Sequence, residues 1–344
     1  MSGYQSHHSH DSIPDGFRRY LSSKHKRFFH YTDSASALSM LKRYNEKDDI
    51  EANSSTEWKA TYSKLWATHF CYLNDNKELI SGLESFLFAL DEHRATRNVS
   101  ADVLKNVRKD VIDFIQSIQS KTCVRNMAYY PLSFCEEGNL LSQWKWYGKD
   151  GGVAIEYDLN NCLFRGSEMY DCNNPSEGIL YDILYKPSEH KRLFKEYINN
   201  RSDFWADESI YDRILEEVCI LSLFMKDKSF KEEKESRLLF VVTLPTNPDN
   251  LKPILNFRKK GNIIVPYIEA KIHTKTYTPA PIKSITVGPG ENQNLVYEAF
   301  YQYILCSYPN VDSSGEGREK VESGCNCIRV HGIDLRRSLT PFRG

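Results

Sequence analysis

The sequence lacks the features that mark secreted and membrane proteins. Its longest largely apolar stretch, Val218 to Met225, is far shorter than the roughly 20 residues that span a bilayer. The beginning of the chain, Met1 to Gly16, is polar and has no apolar segment after a basic cluster, so it resembles neither a signal peptide nor a membrane anchor. We therefore expect a protein that makes no contact with a membrane, with a cytoplasmic location as the default.

An excess of charge of either sign is also missing. The chain has 45 Lys and Arg against 46 Asp and Glu, which gives a formal net charge of -1. No global basic field is therefore available to hold a nucleic acid, although a local basic groove is compatible with this balance. The nine cysteines are an odd number without a repeating spacing, which predicts free thiols in a reducing compartment rather than a disulfide scaffold.

Several well-defined catalytic and cofactor motifs are absent. The chain contains no G-x-x-x-x-G-K-[ST] or G-x-G-x-x-G loop and no G-x-S-x-G elbow, so ATP-binding, Rossmann-type and serine-hydrolase interpretations lose their main support. The pair Cys325 and Cys327 has no second CxxC or HxxxH near it, and tetrahedral zinc needs four suitably spaced ligands. We assign no metal.

The composition that is present suits a folded, β-rich protein. The 344 residues are 40% hydrophobic and 12% aromatic, which is enough to bury a sizeable core. Helical spacing dominates the first half, strand-like segments return between Arg237 and Val287, and the tail after Tyr308 is rich in loop residues. This order predicts an α+β fold, a mostly antiparallel β-sheet core with surrounding helices. We expect a flexible tail over residues 1–20 and a single domain over residues 21–344.

The segment His30-Tyr31-Thr32 ends the first predicted strand, Phe28 to Thr32, and Asp33 then predicts a helix N-cap. At a strand end, the ring nitrogens of a histidine can bond a ribose hydroxyl or a backbone carbonyl. Histidines at such places are more often structural residues. The segment alone therefore does not define a site.

An acidic run precedes the strand predicted over Arg237 to Leu244. In an extended segment Glu233 and Glu235 point to the same side, so one site can receive both carboxylates. Such a pair suits an oxocarbenium-like ribosyl centre, where one carboxylate stabilises the developing positive charge and the other orients or deprotonates the acceptor. The alternative interpretation is a solvated charge run at the start of a strand.

Three aromatic residues, Trp144, Trp146 and Tyr147, lie on one short predicted helix, Leu140 to Tyr147. They are either part of the core or a wall on which a planar base stacks. The sequence favours neither interpretation over the other.

Taken together, these segments resemble a bacterial family known as domain of unknown function 2971. The resemblance covers most of residues 27 to 343 and rests on an ordered set of motifs rather than on a single one. The matching segments are His30 to Thr32, Leu73 to Glu78, Ser133 to Gly148, Gly152 to Tyr157, Glu233 to Arg237, Ile282 to Gly288 and Ser338 to Arg343. Where relatives tend to have Cys-Phe-Ser, this chain has Ser133-Phe134-Cys135, which puts in doubt a role for a serine at the last position.

The order of these motifs is also similar to that of ADP-ribosyltransferases, and this similarity implies a cofactor site. His30, with Tyr31 and Thr32 beside it, is expected to anchor the ribose of NAD. Trp144 or Tyr147 is expected to stack on the nicotinamide.

The same similarity implies a catalytic role for the acidic run. Glu235 is expected to be the catalytic glutamate, with Glu233 facing the acceptor and Arg237 contributing to the cofactor site. These roles require His30 and Glu235 to line one cleft on adjacent strands.

The leading hypothesis is therefore an NAD-consuming enzyme that transfers ADP-ribose to a protein or nucleic acid or hydrolyses NAD, in a stress or antiphage defence role. The sequence sets neither the acceptor nor the oligomeric state. One alternative is a non-enzymatic module that binds a nucleotide or a partner. Another is a metal-dependent nuclease built from Asp75, Glu78 and Glu235, since acidic groups far apart in a chain can converge on a divalent ion.

Overall fold

A computed structural model describes most of the chain. The described residues are 17, 19–42, 44–45, 61–73, 77–93, 101–120, 122, 127–147, 151–165, 178–200, 211–243, 255–274, 281–307, 320–321 and 327–341. The tail expected over residues 1–20 lies outside them apart from residues 17, 19 and 20. Within the described ranges, no helix combines the length and the apolar character that crossing a bilayer requires.

The larger of two sheets places the first strand near its middle, between strands from distant parts of the chain. From edge to edge its strands are β12 (Lys320–Val321), β13 (Cys327–Val330), β14 (Ile333–Arg337), β11 (Ile282–Val287), β5 (Val153–Tyr157), β1 (Phe28–Thr32), β4 (Met127–Cys135), β8 (Glu235–Thr243) and β7 (Ile179–Asp182). All neighbours pair antiparallel except β11 and β14, which pair parallel.

The smaller sheet is antiparallel and contains a long hairpin. Its strands are, in order, β2 (Tyr44–Asn45), β3 (Thr61–Thr68), β10 (Ile263–Thr274) and β6 (Cys162–Arg165), with β9 (Asn256–Lys260) paired to the beginning of β10. The hairpin turns at Gly261, whose φ of 60° lies in the left-handed region that glycine adopts without steric cost.

Helices lie against the sheets and connect their strands. They are α1 (Ser34–Leu41), α2 (Lys77–Glu92), α3 (Ala101–Gln119), α4 (Leu141–Tyr147), α5 (Pro187–Asn200), α6 (Tyr211–Ser222) and α7 (Gln293–Ser307). Helix α1 begins where the sequence predicts it, because the side chain of Asp33 accepts a hydrogen bond from the backbone N–H of Ser36 at 2.8 Å and so caps a free donor. The mostly antiparallel sheet with surrounding helices is the α+β fold predicted from the sequence.

Alternate side chains of β1, β4 and β8 project to opposite faces of the larger sheet, as strand geometry requires. One face packs against α1, α7 and the smaller sheet around residues such as Phe28, Phe134 and Leu238. The other face carries two separate cores. The larger lies under α2, α3, α5 and α6, and the smaller joins Phe29 to Trp144 of α4.

Two segments differ from their predictions. Strand β8 begins at Glu235 rather than Arg237, and it pairs with β4 along its whole length. The tail after Tyr308, predicted to be loop-rich, supplies β13 and β14 to the larger sheet, because pairing with distant β11 provides the hydrogen bonds that a local pattern cannot show.

The cysteines confirm the prediction of free thiols only in part. Free thiols are found at Cys135, Cys162, Cys219, Cys306 and Cys327. Cys71 is disulfide-bonded, so the prediction is wrong at this position. Disulfide formation depends on the distance between two Cα atoms in the fold, which spacing along the sequence does not determine.

Candidate active site

A polar cleft lies on the face of the larger sheet that carries two cores, at the level where the cores separate. We call it the carboxylate cleft and define it by Ser133, Lys226, Glu233, Glu235 and Arg237. Cys135 of the smaller core pairs with Glu235, and Ser133 pairs with Arg237, so the strand register places these four side chains on one face. Ser133 is exposed although it lies in an interior strand, which shows that solvent reaches the sheet at this point.

Glu235 is the most buried carboxylate of the cleft, at 1% exposure. Its Oε1 accepts hydrogen bonds from Nη2 and Nε of Arg237 at 2.7 and 3.0 Å, and its Oε2 lies 3.1 Å from Nζ of Lys226. Burial by itself raises the pKa of this carboxyl, but Arg237, Lys226 and a hydrogen bond from the Ser133 hydroxyl outweigh it and hold the pKa at about 2. Glu235 is therefore ionised throughout the neutral range.

Arg237 is enclosed beneath this carboxylate. Its side chain is 2% exposed, and its Nη1 donates to the carbonyl of Leu223 at 2.5 Å. All three guanidinium nitrogens thus have protein acceptors. In this position Arg237 holds Glu235 and the Leu223 carbonyl, and its role at the cofactor stays a prediction.

Glu233 lies in the cleft, but its backbone conformation differs from the extended one that was expected. It ends a short 3-10 helix, Lys228–Glu233, and Lys234 then adopts a left-handed conformation with φ 42°. The segment is therefore not extended, yet Glu233 Oε2 lies 2.7 Å from Nζ of Lys226, and its Oε1 accepts from Nε2 of Gln143 at 2.9 Å. One lysine consequently bridges the two carboxylates that the sequence analysis placed together.

Tyr147, at the end of α4, stands at the open side of the cleft and is 40% exposed. Burial raises the pKa of its hydroxyl, Glu235 and Glu233 raise it further, and Lys226 opposes them. The phenol is therefore close enough to both carboxylates to interact with them electrostatically. Tyr147 is thus the predicted aromatic residue that a ligand in the cleft can contact.

His30 lies elsewhere. Phe29 pairs with Cys135, which pairs with Glu235, so Phe29 shares the face of Glu235 and the neighbouring His30 projects to the opposite face. Strand β4 also separates β1 from β8. The expected arrangement, with His30 and Glu235 in one cleft on adjacent strands, is therefore wrong. His30 Nδ1 donates to the carbonyl of Ser133 at 3.0 Å, and a carbonyl can only accept.

The other residues expected to hold NAD have structural contacts. The Tyr31 hydroxyl donates to the carbonyl of Glu137 at 2.8 Å and accepts from the N–H of Leu140 at 2.9 Å. Trp144 packs on the Tyr31 ring with centroids 4.8 Å apart and is 3% exposed, and Thr32 is 7% exposed. Between the core and the stacking-wall interpretations, the structure places Trp144 in the core and leaves Tyr147 accessible.

Sequence reasoning did not identify Lys226, Gln143 or the hydroxyl of Ser133 as site residues. Lys226 directly follows the longest largely apolar stretch, Val218 to Met225. A charged residue at such a place is a signal that the sequence contains. Gln143 and Ser133 carry no signal in a single sequence, because neutral polar residues are common in helices and strands.

Two of the three residues of the nuclease alternative cannot be compared with Glu235. Asp75 and the side chain of Glu78 lie outside it. Among the described residues, no group of three or more His, Cys, Asp or Glu side chains has an arrangement that could hold a metal ion.

The fold and the cleft define an α+β protein with a buried network of two carboxylates and two cations. The family described as "Protein of unknown function (DUF2971)" matches residues 143–238, and this confirms the resemblance stated from the sequence over that segment. The segment includes every residue of the carboxylate cleft except Ser133. No curated protein matches the chain, and no solved structure matches it either.

Proposed function

We propose that the carboxylate cleft cleaves the bond between nicotinamide and ribose in NAD and passes the ADP-ribosyl group to a macromolecule or to water. One observation carries the proposal: the ionised carboxylate of Glu235 shares Lys226 with Glu233, close to Tyr147. A cationic ribosyl centre is the kind of transition state that such a charge stabilises. The proposal gives no role to His30, which lies on the opposite face of the sheet.

The two carboxylates have different environments and therefore different roles in this proposal. Glu235 is ionised and enclosed, so it supplies negative charge beneath the cleft and holds the exposed hydroxyl of Ser133. Glu233 is nearer to solvent, with 14% of its side chain exposed, and it accepts the proton of the attacking hydroxyl. The C1′–N bond breaks, its electron pair leaves with nicotinamide, and the acceptor oxygen forms the new bond to C1′. Tyr147 supports the nicotinamide ring.

Release of nicotinamide from NAD tests the proposal, measured by chromatography with the purified protein alone and with a cell extract that supplies acceptors. We expect release by the wild type in at least one condition and a loss of about 100-fold in Glu235→Gln, since removal of a preorganised charge typically has that effect. Glu233→Gln should reduce transfer to an acceptor more than it reduces hydrolysis.

Glu156→Gln is a matched control. Glu156 is also a buried strand carboxylate held by an arginine, with Oε1 2.9 Å from Nε of Arg27, but it lies outside the cleft. Its variant should keep the wild-type rate at a temperature where both variants are folded. The proposal fails if the wild type releases no nicotinamide in either condition, or if Glu235→Gln and Glu156→Gln have equal rates.

A further inference from the structure

Arg258, on the β9–β10 hairpin, is partly buried, and its surroundings differ from those of the buried Arg237. Its Nη2 donates to Oγ1 of Thr68 at 2.8 Å. Its guanidinium carbon lies 5.5 Å from the ring centre of Trp66 and 5.9 Å from that of Tyr267. The two rings are themselves 5.3 Å apart. A partly buried cation thus lies on β9, in contact with residues of β3 and β10.

No carboxylate lies in direct contact with this cation within the described part of the chain. Arg258 has no ion pair among the described residues, and its buried Nε has no hydrogen-bond partner. Asp33 acts on Arg258 electrostatically, but the two oxygens of Asp33 accept bonds from the N–H and hydroxyl of Ser36 at 2.8 Å each. An unsatisfied buried donor on a charged group is costly, so the protein itself leaves this cation incompletely satisfied.

Further basic groups surround Arg258. Lys260 follows two residues later on the same strand and therefore projects to the same side. Burial and then the charge of Arg258 lower the pKa of Lys260. His30, on β1, is close enough to Arg258 for the two to interact electrostatically. Burial lowers the pKa of His30, the Ser133 carbonyl raises it and Arg258 lowers it, so the His30 ring adds no positive charge at neutral pH. Basic groups brought together without a carboxylate partner for the central one favour the binding of an anion.

We propose that Arg258, with Lys260 and Thr68 beside it, binds the phosphate group of a nucleotide. A guanidinium offers several N–H donors in a fixed plane that match phosphate oxygens, and Arg258 is partly exposed, so a ligand can reach it. The neighbouring Trp66 and Tyr267 are both partly exposed, so they provide flat surfaces for a base next to the phosphate. This site is separate from the carboxylate cleft, and it does not rest on the function proposed for that cleft.

Calorimetric titration of the full chain with AMP and with inorganic phosphate tests this site. We expect both to bind at low ionic strength, with AMP binding more tightly because of the aromatic pair. Arg258→Gln should weaken AMP binding roughly tenfold or more, the usual effect of losing a charge-assisted hydrogen bond.

Lys259→Gln is a matched control, because it removes one positive charge from the same strand on the opposite face of the hairpin. Its AMP affinity should stay within about twofold of the wild type, as expected for an exposed charge. Circular dichroism should show that both variants are folded. The proposal is overturned if wild type binds no AMP, if Arg258→Gln binds as wild type does, or if Lys259→Gln loses as much affinity. Tighter binding of a single-stranded oligonucleotide without terminal phosphate would overturn the assignment to a nucleotide.

Discussion

Arg237, which is buried, and Arg258, which is partly buried, differ in how their charges are satisfied. Arg237 makes three hydrogen bonds to Glu235 and Leu223 within an ion network that also includes Lys226 and Glu233. Arg258 has one hydrogen bond, to Thr68, and an unpartnered Nε. The difference teaches that burial of a charge does not by itself identify a binding group. A satisfied arginine positions its carboxylate, whereas an unsatisfied one is available to a ligand.

Substitution of the two arginines by methionine gives the largest contrast. Arg237→Met removes one of the two cations that are paired with the buried carboxylate of Glu235. We therefore expect a loss of about 3–5 kcal/mol in the free energy of unfolding. Arg258→Met leaves no carboxylate unpaired, so its loss should be at most about 1 kcal/mol. Urea denaturation at pH 7 measures both.

A double variant separates charge from packing in this comparison. Glu235→Gln combined with Arg237→Met should lose less stability than the sum of the two single changes, because it leaves no unpaired carboxylate at residue 235. Equal losses for Arg237→Met and Arg258→Met would show that the two sites do not differ as described.

Acid titration should report the ion pairs of Glu235 in the carboxylate cleft. The pKa of Glu235 is about 2 in the folded protein, against an ordinary value of 4.5. Its contribution to stability is therefore fully present above pH 4.5 and is lost as the pH falls towards 2. Between pH 6 and pH 3 this corresponds to a loss of about 2 kcal/mol.

The variants distinguish Glu235 from other titrating groups. Denaturation midpoints measured at intervals over this range should fall less steeply in Glu235→Gln than in wild type. Arg258→Met should follow the wild-type slope, because its site contributes no ion-paired carboxylate. An unchanged slope in Glu235→Gln would contradict the low pKa.

The smallest effect is expected at Ser133, which contacts both regions through different atoms. Its hydroxyl bonds Glu235 and its carbonyl accepts from His30. Ser133→Ala removes only the hydroxyl, so we expect NAD cleavage to fall about tenfold while AMP affinity stays unchanged. A parallel loss of both activities would indicate a general disturbance of β4 rather than two separate sites.

The sequence was sufficient for much of the local structure. Local patterns predicted β1 at the observed boundaries, the N-cap of α1 at Asp33 and α4 within one residue, because these elements have strong local signals. The strands after Tyr308 were missed since their stability comes from pairing with β11 and with each other. The disulfide at Cys71 and the face reached by His30 were likewise not accessible from local patterns.

For the candidate site, the sequence correctly brought together Glu233 and Glu235 but for a different geometric reason. The expectation assumed an extended segment, whereas a 3-10 helix and the left-handed Lys234 turn both carboxylates towards Lys226. Trp144 and Tyr147 show the same limit. They are three residues apart on α4, yet packing against Tyr31 encloses the first and leaves the second exposed.

The sequence by itself determined the α+β class, most element positions and the acidic run as a chemically distinctive segment, because these follow from composition and local periodicity. Only the tertiary structure decided that His30 and Glu235 lie on opposite faces. It also decided that Arg237 binds the carboxylate of Glu235, whereas Arg258 has no ion pair among the described residues. The physical reason is that strand register and the pairing of charges are set by contacts between distant residues. Those contacts determine which polar groups are satisfied within the protein and which remain available to a ligand.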